Sequence, residues 1–347
     1  MSDFVERLTA LCAVDSPTGD AAGLARSAEL LAGWAEADGL DVDVRDGSLL
    51  VISTPGEGRT LLIGHHDTVY PAGTAAARPV TRDGDILRGP GVADMKGGLL
   101  VGLAAMAGLE GVGVEFWIVP DEEARSVAPS CLDAWRGADR AICLECGRAD
   151  GSIVTARMAC TWLELEADGR DAHAGTERER GRSALMALAR EGIRIEEALH
   201  DARPGLQATI TQLHAGIGKN TVPGRATATV DLRARTAEDL RWAVDVVGDF
   251  AVHDGVTLRR SDEPGFPPLE RDAAFAERAL AVLAEVGAVA REETAAGASD
   301  GSWASSLGIP TIDGLGPVGG ADHSPDEWIE LTSVAPRIEA VRRLCRG

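Results

Sequence analysis

Two kinds of apolar pattern alternate along the chain. Some apolar residues recur every three or four positions, as in a helix with one buried face; others form short continuous runs, as in a strand buried on both sides. Helical spacing covers residues 2–14 (Phe4, Val5, Leu8, Leu11, Cys12) and about 21–38 (Leu24, Ala28, Leu31, Trp34). Ser16-Pro-Thr-Gly19 separates the two and Gly39 closes the second. Strands are predicted at 42–44 and 49–52, then a turn at 54–58, then a buried strand over 60–63 that stops at Gly64. A hairpin pairs 80–82 with 86–88 around Asp83-Gly84. A helix to about 109, a strand over 112–119, a helix over about 124–135 and a strand over 141–144 follow. This alternation predicts an α/β layer with a mostly parallel sheet.

Near residue 157 the texture changes. Residues 158–167 alternate like a half-exposed strand; a helix at 182–199, strands at 206–213 and 226–233, a helix at 237–252 and a strand at 256–259 follow. Strand–helix–strand–strand–helix–strand is the split βαβ pattern of a small α+β sandwich. We therefore expect a discontinuous first domain, 1–156 and 263–347, with a second domain, 157–262, inserted into it. After a linker at 264–268, a helix (273–286), a strand (288–291), a short helix from Ser302, a strand (311–313) and a terminal helix (331–345) complete the first domain.

Length and composition suit this picture. The 347 residues are 45% hydrophobic, enough for two cores. A net charge of −21 argues against nucleic acid and against an anionic membrane surface. No apolar run of about 18 residues is present, and the first residues lack the basic start and apolar stretch of a signal peptide. Cysteines at 12, 131, 143, 146, 160 and 345 show no disulfide framework, so reduced thiols in a cytoplasmic protein are expected.

The chemistry collects where apolar runs end. In an open α/β sheet, ligands sit beyond the carboxyl ends of strands. His65 and Asp67 follow the run 60–63; Glu122 and Glu123 follow 112–119; Glu145 follows 141–144; Asp94 lies in a glycine-rich loop feeding a helix; His323 lies in Gly319-Gly-Ala-Asp-His-Ser-Pro. In one crevice these groups would repel each other without cations. Imidazole with carboxylate suits a pair of divalent metals, zinc first, with cobalt or manganese as alternatives.

These stretches carry a resemblance. Gly64-His-His-Asp-Thr-Val69, Gly91-Val-Ala-Asp-Met-Lys-Gly97, Asp121-Glu-Glu123, Asp171-Ala-His-Ala-Gly175, Asn220-Thr-Val-Pro223, Asp231-Leu-Arg233 and Gly297-Ala-Ser-Asp300 stand, with the His323 segment, in the order found in one family. The chain resembles the co-catalytic zinc metallohydrolases of the M20 family: glutamate-releasing carboxypeptidases, aminoacylases, acetylornithine deacetylases and succinyl-diaminopimelate desuccinylases. The glutamate carboxypeptidase branch looks nearest. The resemblance implies a metallohydrolase domain and an inserted dimerisation or lid domain. It implies that Asp94 bridges two metal ions per subunit, with His65 and Glu145 completing one site and Glu123 and His323 the other. Asp67 would orient His65. Glu122 would be the general base, taking a proton from a bridging water and delivering it to the leaving amine. His173 would reach the partner subunit's active site in a homodimer, and Asn220, Arg233, Ser299 and Asp300 would bind or shape the site for a substrate carboxylate. The implied substrate is a small molecule or short peptide cleaved at an amide next to a free carboxylate. An N-acyl-amino-acid deacylase is the alternative, and a non-catalytic binding protein on the same fold a more distant one.

Other polar positions have plainer readings. His66 belongs to the wall of the site, His200, His214 and His253 to surface or packing, and Lys96 to support of the Asp94 loop. The charge run at Arg178, Glu179, Arg180 and Arg182 reads as a solvated helix start. No glycine-rich phosphate loop of the G-x-x-x-x-G-K-S/T type is present.

Overall fold

The computed structural model describes residues 1–124 and 128–347. Its contacts divide the chain into two compact units. The first comprises Met1–Arg157, Leu269–Ala295 and Ser299–Gly347; the second comprises Met158–Pro268 and Ala296–Ala298.

The first unit is built on a six-stranded sheet in the order Asp41–Arg45, Leu49–Thr54, Gly111–Val119, Gly56–His65, Arg140–Cys143, Thr311–Ile312. Gly56–His65 runs parallel to both its neighbours, and Arg140–Cys143 runs parallel to Thr311–Ile312; the two outermost pairings on the other side are antiparallel. Strand Gly56–His65 is therefore central, which is why Leu61, Leu62 and Ile63 are fully buried. Helices Ser2–Cys12, Gly97–Met106, Ala273–Glu285 and Val334–Cys345 place Leu8, Leu11, Leu99, Leu103, Val282, Val341 and Leu344 in one apolar cluster with Leu62, Phe116 and Ile142. Trp117, Trp135, Ile63 and Cys143 belong to a separate cluster with Ala304. Asp272 caps helix Ala273–Glu285 by accepting from the Phe275 amide at 2.8 Å.

Helix Gly97–Met106 packs tightly against this sheet. A Cβ at Gly98 would stand 1.8 Å from the Leu144 carbonyl oxygen, so only glycine lets the helix start there.

The second unit is a four-stranded antiparallel sheet in the order Gln207–Ala215, Arg225–Ala234, Ala159–Asp168, Thr257–Asp262, with helices Ala184–Leu199 and Ala237–Gly248. Alternation supplies its core: Leu163, Leu165, Val230 and Leu232 meet Leu188, Ile195, Ala243 and Val247. The helices start on side-chain caps, Ser183 accepting from the Met186 amide and Thr236 from the Asp239 amide.

Some elements depart from the sequence-based expectation. The turn expected at 54–58 is the start of the central strand: Gly56 pairs with Gly111, and a Cβ there would lie 2.2 Å from the backbone opposite. Glycine marks a close backbone approach rather than a turn. The helix expected over 124–135 is a 3-10 turn at Glu122–Ala124 and a short helix at Leu132–Trp135, with 125–127 outside the described residues and Pro129 in the connection. The strand expected at 288–291 begins later, at Glu292–Ala295. The Ala288 amide is spent on the Leu283 carbonyl at the end of the preceding helix. Its partner, Ile153–Arg157, is a parallel strand that the apolar pattern did not single out.

Arg157 closes this part of the fold. It is 6% exposed, and its Nε donates to Asp313 Oδ2 at 2.7 Å; Ser299 Oγ donates to the same oxygen at 2.5 Å. Asp313→Ala would take the carboxylate away from a buried guanidinium, which costs about 3–5 kcal/mol. Chemical denaturation should register that loss against wild type; an unchanged midpoint would show that the pair is not holding the fold.

Candidate metal centre

Three neighbouring parallel strands deliver the site. Gly56–His65 ends on His65 itself; Gly111–Val119 leads through Pro120 to Glu122 and Glu123; Arg140–Cys143 leads to Glu145. Their adjacency in the sheet puts the three exits side by side. Asp94 arrives from the loop before helix Gly97–Met106, and His323 from the segment between Gly319–Gly320 and Trp328–Glu330.

The distances centre on Asp94. Its Oδ1 lies 3.0 Å from His65 Nε2 and its Oδ2 lies 3.0 Å from His323 Nε2. Glu145 Oε1 is 3.6 Å from His65 Nε2, and Glu123 Oε2 is 3.2 Å from His323 Nε2. Two ligand triads result, His65–Asp94–Glu145 and Asp94–Glu123–His323, each with its ligand atoms within 4.8 Å of one another, and both share Asp94.

Asp67 organises the first triad. His65 Nδ1 lies 3.1 Å from the Asp67 carbonyl oxygen and 3.3 Å from its carboxylate. Both are acceptors, so Nδ1 carries the proton and Nε2 is left for a ligand. The Asp67 carboxylate also accepts from the Glu122 and Glu123 amides, each at 3.1 Å, and from Thr18 Oγ1 at 2.6 Å. One buried side chain thus fixes the histidine and the turn that carries two glutamates.

The electrostatics are those of a crowded acidic pocket. Burial opposes charge on Asp94, but hydrogen bonds with His323 and His65 hold its carboxyl well below the usual range. Burial pushes Glu122 up to about 8; His65 opposes this, and the charges of Asp300, Glu123 and Asp94 add to it. Glu145 is raised well above the carboxylate range by burial and by Asp94. Hydrogen bonds to Asp94 and Glu123 push His323 up to about 11. His65 is raised by Asp67 and Asp94 against the lowering effect of burial.

The donor set fits divalent cations. It comprises two imidazoles and three carboxylates without thiolate, the nitrogen–oxygen mixture that zinc, cobalt and manganese accept. Among the described residues, Glu123 Oε1 is buried with no hydrogen-bond partner, an orphan that a cation would satisfy.

The other sequence candidates divide. Asp300 is buried close enough to Glu122 to raise its carboxyl. Ser299 is fully buried with its hydroxyl given to Asp313, so it supports the wall and offers no free donor. In the second unit, the Asn220 side-chain amide lies 3.3 Å from His173 Nε2. His173 Nδ1 accepts from the Gly175 and Thr176 amides at 3.2 and 3.1 Å, so the neutral ring carries its proton on Nε2. Arg233 is already occupied: Nε and Nη2 face the two Asp231 oxygens at 2.9 and 3.1 Å, and Nη1 donates to the Ala296 carbonyl. Asp231, two residues earlier on the same strand, therefore engages that fork. His66 is fully buried and pushed down to about 4 by burial, consistent with a wall position. Lys96 Nζ donates to the Leu11 and Val14 carbonyls at 3.2 and 2.9 Å, tying the Asp94 loop to the first helix.

Sequence reasoning missed Thr18, Tyr70 and Glu327. Tyr70 is the single tyrosine, three residues after Asp67, and Glu327 is an acid four residues after His323. Both follow known motifs closely, and Glu327 is fully buried.

Comparison with known proteins identifies the family. A sequence profile of Peptidase family M20/M25/M40 matches residues 61–347. Carboxypeptidase G2 of Pseudomonas sp. (strain RS-16) is 27% identical, over 98% of this chain and 88% of that protein. The putative succinyl-diaminopimelate desuccinylase DapE of Mycobacterium tuberculosis (strain ATCC 25618 / H37Rv) is 28% identical, over 99% and 98%. The fold matches a crystal structure of a tripeptidase from Staphylococcus aureus subsp. aureus Mu50, with a TM-score of 0.81 and 22% identity, over 99% of this chain and 98% of that one. With the profile spanning most of its length, the chain belongs to Peptidase family M20/M25/M40 and is a metal-dependent hydrolase of amide bonds.

Proposed function

We propose that this protein hydrolyses an amide or peptide bond next to a free carboxylate, using two divalent cations per subunit, as an exopeptidase of the glutamate carboxypeptidase type. One observation carries the reading: the two oxygens of Asp94 each stand 3.0 Å from a different imidazole, with Glu145 beside one and Glu123 beside the other. His65, Asp94 and Glu145 would hold one cation; Asp94, Glu123 and His323 would hold the second. Such a pair supplies Lewis acidity, which polarises a carbonyl and lowers the pKa of water to about 7.

Glu122 has no place in either triad and stands beside both. Its role is general base. It takes one proton from water as the oxygen attacks the carbonyl carbon, then gives it to the nitrogen as the C–N bond breaks, leaving a carboxylic acid and an amine. Asp300 shapes the wall around Glu122. His173, with its proton on Nε2, is suited to donate to an oxyanion. The partner subunit's active site is where it would act, in a homodimer. Exposed Met186, Ile193, Leu213 and Ile217 on the second unit support self-association, the last being 84% exposed. Asn220, beside His173, is the donor for the substrate carboxylate. Six cysteines scattered in the sequence without a disulfide framework support a cytoplasmic setting. Among the described residues no helix is long and apolar enough to cross a membrane. A deacylase acting on N-acyl amino acids is the second reading, favoured by a desuccinylase relative that is 28% identical over 99% of this chain.

Metal analysis should find close to two cations per chain, zinc first. Hydrolysis of a panel of N-acylglutamates, other N-acyl amino acids and dipeptides should stop on chelation and return with zinc. The preferred substrate then separates the two readings, and cleavage untouched by chelation would overturn both. Glu122→Gln should keep both cations and lose about 10²–10⁴-fold in kcat; full turnover would remove Glu122 from the mechanism. Asp94→Ala should lose both cations together, and retention of either at wild-type affinity would exclude a shared ligand.

A further inference from the structure

The two triads are held in place unequally. His65 is 2% exposed and ends a central strand, with Asp67 at its back. His323 is 55% exposed, lies on a short irregular segment and adopts φ of 59°, a left-handed conformation uncommon for a residue with a Cβ. Asp67 does not reach it; what holds it is elsewhere.

Glu327, four residues on, is fully buried. Its Oε1 accepts from the Ala93 and Asp94 amides at 2.8 and 3.0 Å, and its Oε2 accepts from the Gly91 amide at 2.9 Å. The Tyr70 hydroxyl lies 2.7 Å from Glu327 Oε2 and 2.9 Å from the Ser324 carbonyl oxygen. Arg78 stacks over the Tyr70 ring at 4.8 Å and also reaches the Ser324 carbonyl, at 3.4 Å. Three chain segments therefore meet on one carboxylate and one phenol: the loop after Asp67, the Asp94 loop and the His323 segment. Four donors converge on Glu327, an arrangement a merely space-filling residue would not need.

We propose that Tyr70 and Glu327 are positioning residues for the second cation site: they set the approach of His323 to Asp94 and so decide whether both cations load or only the one at His65. Neither touches the proposed cation or substrate; both act through His323 and the Asp94 loop. Partners behind metal ligands typically contribute 10–100-fold to metal affinity. Here that contribution is asymmetric, because Asp67 holds the His65 ring independently of Tyr70 and Glu327.

The inference rests on the two-cation reading, and the experiment separates them. Apo-protein of wild type, Tyr70→Phe and Glu327→Gln is titrated with cobalt or zinc, following stoichiometry and stepwise affinity. Folding is checked by circular dichroism. Tyr70→Phe removes one hydroxyl and keeps the ring under Arg78, so it should fold. We expect its first cation to bind as in wild type and the second to weaken about 10-fold or more. Excess metal should restore its kcat. Glu327→Gln should show the same asymmetry more strongly, with some weakening of the first site through the shared Asp94. A Tyr70→Phe protein that loads both cations at wild-type affinity would overturn the proposal, as would equal weakening of both sites. Wild type that takes up a single cation would overturn the two-cation reading and this inference with it.

Discussion

The structure depends on a concentration of negative charge that the protein alone cannot neutralise. Asp94, Glu122, Glu123 and Glu145 converge with Asp300 close by, and the only cationic groups within the triads are the two imidazoles. Protons can relieve this in part, which is why Glu122 and Glu145 are pushed upward. Divalent cations relieve most of it. The same burial that makes the cluster costly to fold makes it a strong site for such ions, because little water competes there.

The fold serves this cluster through the order of its sheet. Parallel strands all release their chains at one edge, so the exits of Gly56–His65, Gly111–Val119 and Arg140–Cys143 lie next to each other although about 80 residues separate the first from the last. Behind the ligands stands a layer of buried acceptors. Asp67 gathers two amides, a hydroxyl and an imidazole, while Glu327 gathers three amides and a phenol. Backbone N–H groups make up half of the partners of Asp67 and three of the four of Glu327. Geometry at the centre is thereby written into the main chain, which shifts less than side chains do.

Much of this was legible in the sequence, for identifiable reasons. His65, Glu123 and Glu145 stand directly after apolar runs, and the end of a buried strand is a signal that period and length reveal. Asp94 and His323 needed the resemblance, since nothing local distinguishes them from other loop acids and histidines. Thr18, Tyr70 and Glu327 were invisible because their importance lies in hydrogen bonds between segments far apart in the chain. The same holds for strand Ile153–Arg157, whose partner lies beyond the whole second unit. Arg233 was legible by type and motif, but its pairing with Asp231, two residues earlier on the same strand, was not.

The spacing of the ligands along the chain has a consequence for biosynthesis. Four of the five proposed ligands lie within the first 145 residues, and His323 follows only after the second unit has been made. Until then a nascent chain on the ribosome holds His65, Asp94 and Glu145 but only two of the three groups of the other triad. The chain thus has a built-in delay. A cation captured early would be alone, and hydrolytic power would arrive only once the His323 segment, made after the second unit, had joined the other ligands.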